Sequence, residues 1–168
     1  MLISSSDKIV EDCFKISSLY LAKRSDFCVL SSVICPDKGS IFVWYESYEK
    51  TRNNEMAEMY PESASFLNAF NDRIIDLMMP FSKNIVRDEA FLGSSSIKKV
   101  LPALIPDLSY DDLGIQEGGA AARRWKEVTL GDVSDNKRAQ VYSDLIEYCK
   151  LDTLAMVKIH QKLADYCL

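Results

Sequence analysis

The chain has one histidine, His160, and no C-x-x-C pair among its five cysteines, Cys13, Cys28, Cys35, Cys149 and Cys167. Structural zinc takes four nitrogen or sulfur ligands at close, regular spacing, so no zinc centre is expected. An odd, scattered set of thiols suits small buried hydrophobes in a reducing compartment, which implies a cytoplasmic protein. Positive charge is also in short supply. Twenty Lys and Arg against 25 Asp and Glu leave a net charge of -5, so no global field draws the chain to nucleic acid and any such binding must use a local patch. The opening MLISSSDKIVEDCF has no basic region followed by an apolar block, so a secretory signal is not expected. No apolar run approaches the roughly 20 residues that span a bilayer, so no membrane partner is expected either. Internal repeats and low-complexity tracts are absent from the sequence.

What is present is enough for one domain over residues 1–168, with 48% hydrophobic and 27% charged residues. Helical spacing runs through 6–22, and the apolar run 27–34 is open between helix and strand. Pro36 to Gly39 marks a turn. Ile41-Phe42-Val43-Trp44-Tyr45 is the clearest strand, and its lack of polar alternation predicts burial on both faces. A helix follows to about Met59. Pro61 opens another that carries Phe66, Leu67, Phe70, Ile74, Ile75 and Leu77 toward Pro80, unless the segment IIDLMM is a strand. Residues 82–93 read as irregular. Ser94 to Leu104 is a capped helix start, shortened or kinked by Pro102. Ser109 to Leu113 is a turn or helix start, Ala120 to Val128 a helix, and Gly131 to Asn136 a loop. A helical run from Lys137 to Tyr166 closes the chain, with a break expected near Lys150. One clear strand with five or six helices makes a helix-rich α/β protein short of the strands that would flank the first.

Several polar groups sit where burial is expected. Tyr148 and Asp152 are four apart on an otherwise apolar helix and share a face. Glu49 follows the strand at the strand-to-helix turn, the end of an open sheet where ligands bind. Asp72 and Asp76 lie four apart in an apolar stretch. A buried carboxylate requires a cation, a metal or hydrogen-bond donors. Mg²⁺ held by such groups is one solution, and two such ions hydrolyse phosphodiesters in line. Tyr148 would then orient the attacking water. Each residue has a plainer reading. Glu49 suits the positive end of a helix. Asp72 can pair with Arg73 or Lys50, Asp152 can cap a helix starting at Thr153, and Tyr148 can be a core aromatic. Lys98-Lys99 reads as a solvated pair, although a lysine near a helix start can meet phosphate. Arg123-Arg124 beside Trp125 suits either phosphate contact with base stacking or an exposed helix face. His160 reads as a surface residue and Cys149 as core.

The segments SIFVWYESYEKTR, NDRIIDLMMPF, GSSSIKKVLPALIPDLSYDDLGIQ and LIEYCKLDTLAMVKI, in this order over roughly residues 25–165, resemble the bacterial domain-of-unknown-function family numbered 2779. That family is similar to the DnaQ-like, or DEDD-type, 3′–5′ exonucleases with a ribonuclease H-like fold. The resemblance implies a metal-dependent nuclease acting on DNA or RNA with Mg²⁺ or Mn²⁺. Glu49 matches the acid after the second-motif strand, and Tyr148 with Asp152 matches the third motif, so Glu49 and Asp152 become metal ligands. Tyr148 and Asp76 take catalytic roles, and Lys98 faces substrate. No acid-x-acid pair on an apolar strand precedes residue 40, and Asp7, Glu11, Asp12 and Asp26 lie in helical or irregular context. The expectation is therefore a partial ribonuclease H-like domain, its C-terminal part, without the first strands and two of the four metal ligands, and weak or inactive alone. The alternative is a non-catalytic binding module or a gene remnant, whose unflanked aromatic strand invites a homo-oligomer or an upstream partner segment.

Overall fold

The structure, a computed structural model, describes residues 39–166. The expected helix over 6–22, the run 27–34, Cys13, Cys28, Cys35 and Cys167 lie outside the described residues.

Strand β1 covers only Ile41–Val43. The strand expected to reach Tyr45 ends early because Tyr45 turns into the left-handed region, at φ 78°. Helix α1, Glu46–Met59, follows directly. Its sequence has neither Gly nor Pro, and Tyr60-Pro61 stops it, as expected. After a 3-10 turn at Pro61–Ser63, helix α2 spans Ala64–Asn71 and buries Leu67. The helix does not continue to Pro80. The alternative of a strand within IIDLMM holds, because β2, Ile74–Asp76, pairs parallel with β1 in the register Ile41↔Ile74, Phe42↔Ile75, Val43↔Asp76. Two β-branched residues can join a ladder that gives their backbone groups partners, which a helix end would not. The α1–α2 crossover supplies the length that a parallel pair needs. Burial of β1 on both faces is corrected: Val43 is 8% exposed, but Phe42 on the other face is 39% exposed.

Helix α3 is Met79–Ser82. The segment 82–93 is irregular as expected, apart from a 3-10 turn at Glu89–Phe91. Helix α4, Ile97–Leu104, carries Pro102 inside its last turns, and Ser96 stands at its cap position without a side-chain cap bond. The capped start is thus also corrected: Ser94 Oγ accepts instead from the Ser96 amide, at 3.2 Å. Helix α5 spans Gly118–Leu130 and helix α6 Asp135–Asp165, the latter opened by Ser134, whose side chain accepts from the Lys137 amide. No break occurs near Lys150, because residues 135–165 contain no Gly or Pro to interrupt the hydrogen-bond ladder. Arg138 donates to the Val128 carbonyl and Lys137 pairs with Glu127, which ties α6 to α5.

The core lies among α4, α5, α6 and the loop between α4 and α5. Val100, Leu101, Ile115, Val128, Ala155 and Ile159 fill it. The small sheet joins this helical body through aromatic contacts, Trp44 stacked on Phe81 at 5.6 Å and Phe42 against His160 at 4.4 Å. The described residues therefore form a helix-rich, mixed α/β structure with a two-stranded parallel sheet. Among them, no helix is long and apolar enough to cross a membrane.

Candidate functional site

Because α6 runs unbroken past Thr153, Asp152 is a mid-helix residue, and the reading of it as a helix cap is overturned. It lies one turn beyond Tyr148, on a face that also buries Leu145, Ala155 and Ile159. A carboxylate there has no backbone donors, because those of a helix interior are already bonded. Its donors come from side chains. Tyr110, in the loop between α4 and α5, donates its hydroxyl to Asp152 Oδ1 at 2.5 Å. Tyr148, one helical turn before Asp152, sets its phenol beside the same carboxylate and helps to hold the acid's pKa down. The two rings lie 5.9 Å apart, and both are buried, Tyr110 at 4% and Tyr148 at 9% exposure.

The loop passes close to α6 at Gly114, where an added Cβ would stand 2.9 Å from Asp144 Cγ and would displace that carboxylate. Lys98, in the first turn of α4, completes the cluster. Its Nζ sits 5.8 Å from the Tyr110 ring centroid, and its charge reaches Asp152.

Burial is the largest influence on Asp152 and lifts its pKa above the usual carboxylate value. The two phenols and Lys98 pull it back without cancelling that rise. Burial, and next the charge of Asp152, push both phenols well above the ordinary tyrosine range. Both therefore stay protonated, and Tyr110 acts as a donor. Burial and then Asp152 also push the neighbouring Cys149 thiol up to about 11, which keeps it an unreactive, half-buried thiol.

The structure thus brings Tyr148, Asp152 and Lys98 together and adds Tyr110. Glu49 and Asp76 belong to a second place, the junction between β1 and α1. Glu49 is half-buried in the first turn of α1, its amide directed at the Tyr45 carbonyl at 3.4 Å. The Asp76 carboxylate accepts from the backbone amides of Tyr45, Glu46 and Met78. Neither residue is among the partners of Asp152 described above. Among the described residues, no three or more His, Cys, Asp or Glu side chains group so as to hold a metal ion. One carboxylate, two phenols and a nearby ammonium do not fit Mg²⁺ or Mn²⁺, which favour several carboxylate, carbonyl and water oxygens. The residues around Asp152 therefore do not make a metal centre by themselves.

The plainer readings resolve differently. Lys50 pairs with Glu46 at 2.5 Å and Arg73 Nε donates to the Gly39 carbonyl, so neither serves Asp72. Arg123 and Arg124 are exposed, while Trp125 packs against the core. His160 is exposed and its ring packs at a tilt against Phe42. Tyr110 is the functional candidate that sequence reasoning missed. The one available signal was indirect: a carboxylate on an apolar helical face must find donors.

With that geometry in hand, comparison with known proteins gives a family. Residues 8–96 match the family described as Domain of unknown function (DUF2779), and the chain belongs to it. The matched block contains Glu49 and Asp76, whereas Lys98, Tyr110, Tyr148 and Asp152 lie after it. Among curated proteins, the chain is 30% identical over 155 residues to the uncharacterized protein MG366 of Mycoplasma genitalium, covering 86% of this chain and 21% of that protein. It is 29% identical over 141 residues to the MG366 homolog of Mycoplasma pneumoniae, covering 77% and 21% respectively. The chain spans about one fifth of the length of these curated relatives. No solved structure matches it.

Proposed function

We propose that the chain carries the scaffold of a DnaQ-like, DEDD-type exonuclease domain, in which Tyr148 and Asp152 form the third acidic motif and Glu49 stands at the second. Its reaction class is metal-dependent hydrolysis of phosphodiesters in DNA or RNA. The observation that carries the reading is Asp152, a carboxylate kept inside an apolar helical face beside Tyr148 although burial disfavours its charge. Functional sites hold perturbed carboxylates of this kind. The β1–α1–α2–β2 unit supports the same reading, since it places an acid directly after a strand of a parallel pair. Because the groups around Asp152 do not hold a metal by themselves, this reading requires further ligands beyond those gathered there. Lys98 would meet substrate phosphate.

Labelled single-stranded DNA and RNA, incubated with the protein and Mn²⁺, test this. Shortening from the 3′ end is expected, with a drop of about a hundredfold in Tyr148→Phe and loss of activity in Asp152→Asn. Cleavage that survives Asp152→Ala overturns the assignment. A second reading, a non-catalytic nucleic-acid-binding module, is favoured by the absence of an acidic triad among the described residues. It predicts binding of the same oligonucleotides without cleavage, weakened by Lys98→Ala.

A further inference from the structure

Tyr45 is the weak point of the strand-to-helix junction. Its φ of 78° and ψ of 75° place a bulky residue in the left-handed region, where its Cβ crowds the following carbonyl. The carbonyl of this strained residue accepts from Tyr48, at 3.1 Å, and from Glu49, at 3.4 Å. The first turn of α1 thus hangs on Tyr45, and no side chain of its own caps the helix.

Asp76 reaches this turn from the end of β2. Its Oδ1 accepts from the Tyr45 amide at 3.1 Å and from the Met78 amide at 2.8 Å, and its Oδ2 accepts from the Glu46 amide at 3.2 Å. Both oxygens are engaged by backbone, and the residues joined are 30 and 31 apart in sequence. Pairing of Val43 with Asp76 in the parallel ladder brings the carboxylate to the place where β1 ends.

We infer that Asp76 is a positioning residue: it clamps the Tyr45–Glu46 backbone in its strained turn and so sets the first helical turn that presents Glu49. It acts through main chain, not on substrate. The inference rests on the proposed function only in giving Glu49 a task. The clamp itself is independent of that task.

Amide hydrogen exchange on the whole chain tests it, comparing Glu46, Tyr48 and Glu49 with Thr153 in the core as internal reference. Asp76→Ala is expected to speed exchange in the first turn about tenfold relative to Thr153. Asp76→Asn, which keeps one acceptor oxygen and turns an amide donor toward Glu46, is expected to lie between. Adding Tyr45→Gly to either variant removes the left-handed penalty and should restore most of the lost protection. If Asp76→Ala does not fold, the Asn variant and its Tyr45→Gly partner carry the same comparison. Exchange that is unchanged, that rises equally at Thr153, or that Tyr45→Gly fails to restore overturns the clamp. Absence of nuclease activity would overturn the proposed function while leaving these exchange results intact.

Discussion

Asp76 and Asp152 are two carboxylates solved in opposite ways. Asp76 is met by three backbone amides at the end of a strand. Asp152 has no such donors: a phenol from a distant loop donates to it, and the phenol of Tyr148 stands beside it on its own helix. Backbone amides can be withdrawn only by unfolding the turn that bears them. Side-chain hydroxyls can rotate away. The first arrangement suits an anchor, the second a group that exchanges partners when a ligand arrives.

The comparison can be broken experimentally. The largest effect is expected at the buried end. Asp152→Ala strands the Tyr110 hydroxyl in the core and should lower stability by about 2–3 kcal/mol in urea unfolding. A loss near zero would show that the phenols do not depend on this carboxylate. Asp76→Ala should cost less, about 1–2 kcal/mol, because water can reach part of the junction and replace the lost acceptor. A cost above that of Asp152→Ala would reverse the ranking of the two sites.

Tyr110→Phe removes one donor to a half-buried carboxylate and should lower stability by about 1 kcal/mol. The penalty should shrink when Asp152 is already Asn, which a double-mutant cycle reads directly.

A fourth expectation concerns pH. The folded-state pKa of Asp152 lies above its ordinary value, so the native state retains a proton that the unfolded chain has released. The contribution of this group is full below the ordinary carboxylate pKa and is lost as pH rises through the raised value. Asp152→Asn should flatten that fall and gain most, relative to the unsubstituted protein, at neutral pH. A urea midpoint measured at several pH values checks the sign, and a larger gain at acid pH would refute it. The smallest effect belongs to Lys98→Met, about 0.5 kcal/mol for loss of its contact with the Tyr110 ring, with a further rise in the Asp152 pKa that carboxyl NMR would detect.

Much of the helical framework was legible in local pattern. α1 lies where a Gly- and Pro-free stretch ends at Tyr60-Pro61, and α5 encloses the expected 120–128. The supposed break near Lys150 had no residue to cause it, and α6 runs through. The strand at Ile74–Asp76 was readable only as an alternative, because a short apolar run takes its state from the partner that bonds it. The Tyr148–Asp152 pair was visible because four-residue spacing on a helix is itself local geometry. Tyr110 was not visible, since 42 residues separate it from the carboxylate it caps.

By itself, then, the sequence determined where helices could run, which residues share a helical face, and the family whose pattern the chain follows. Only the tertiary structure decided what surrounds each carboxylate. Asp76 and Asp152 are the same residue type in similarly apolar stretches, and nothing local distinguishes them. Long-range pairing brings the Tyr45 and Glu46 amides to one and the Tyr110 phenol to the other, and that choice of donor separates an anchor from a candidate site.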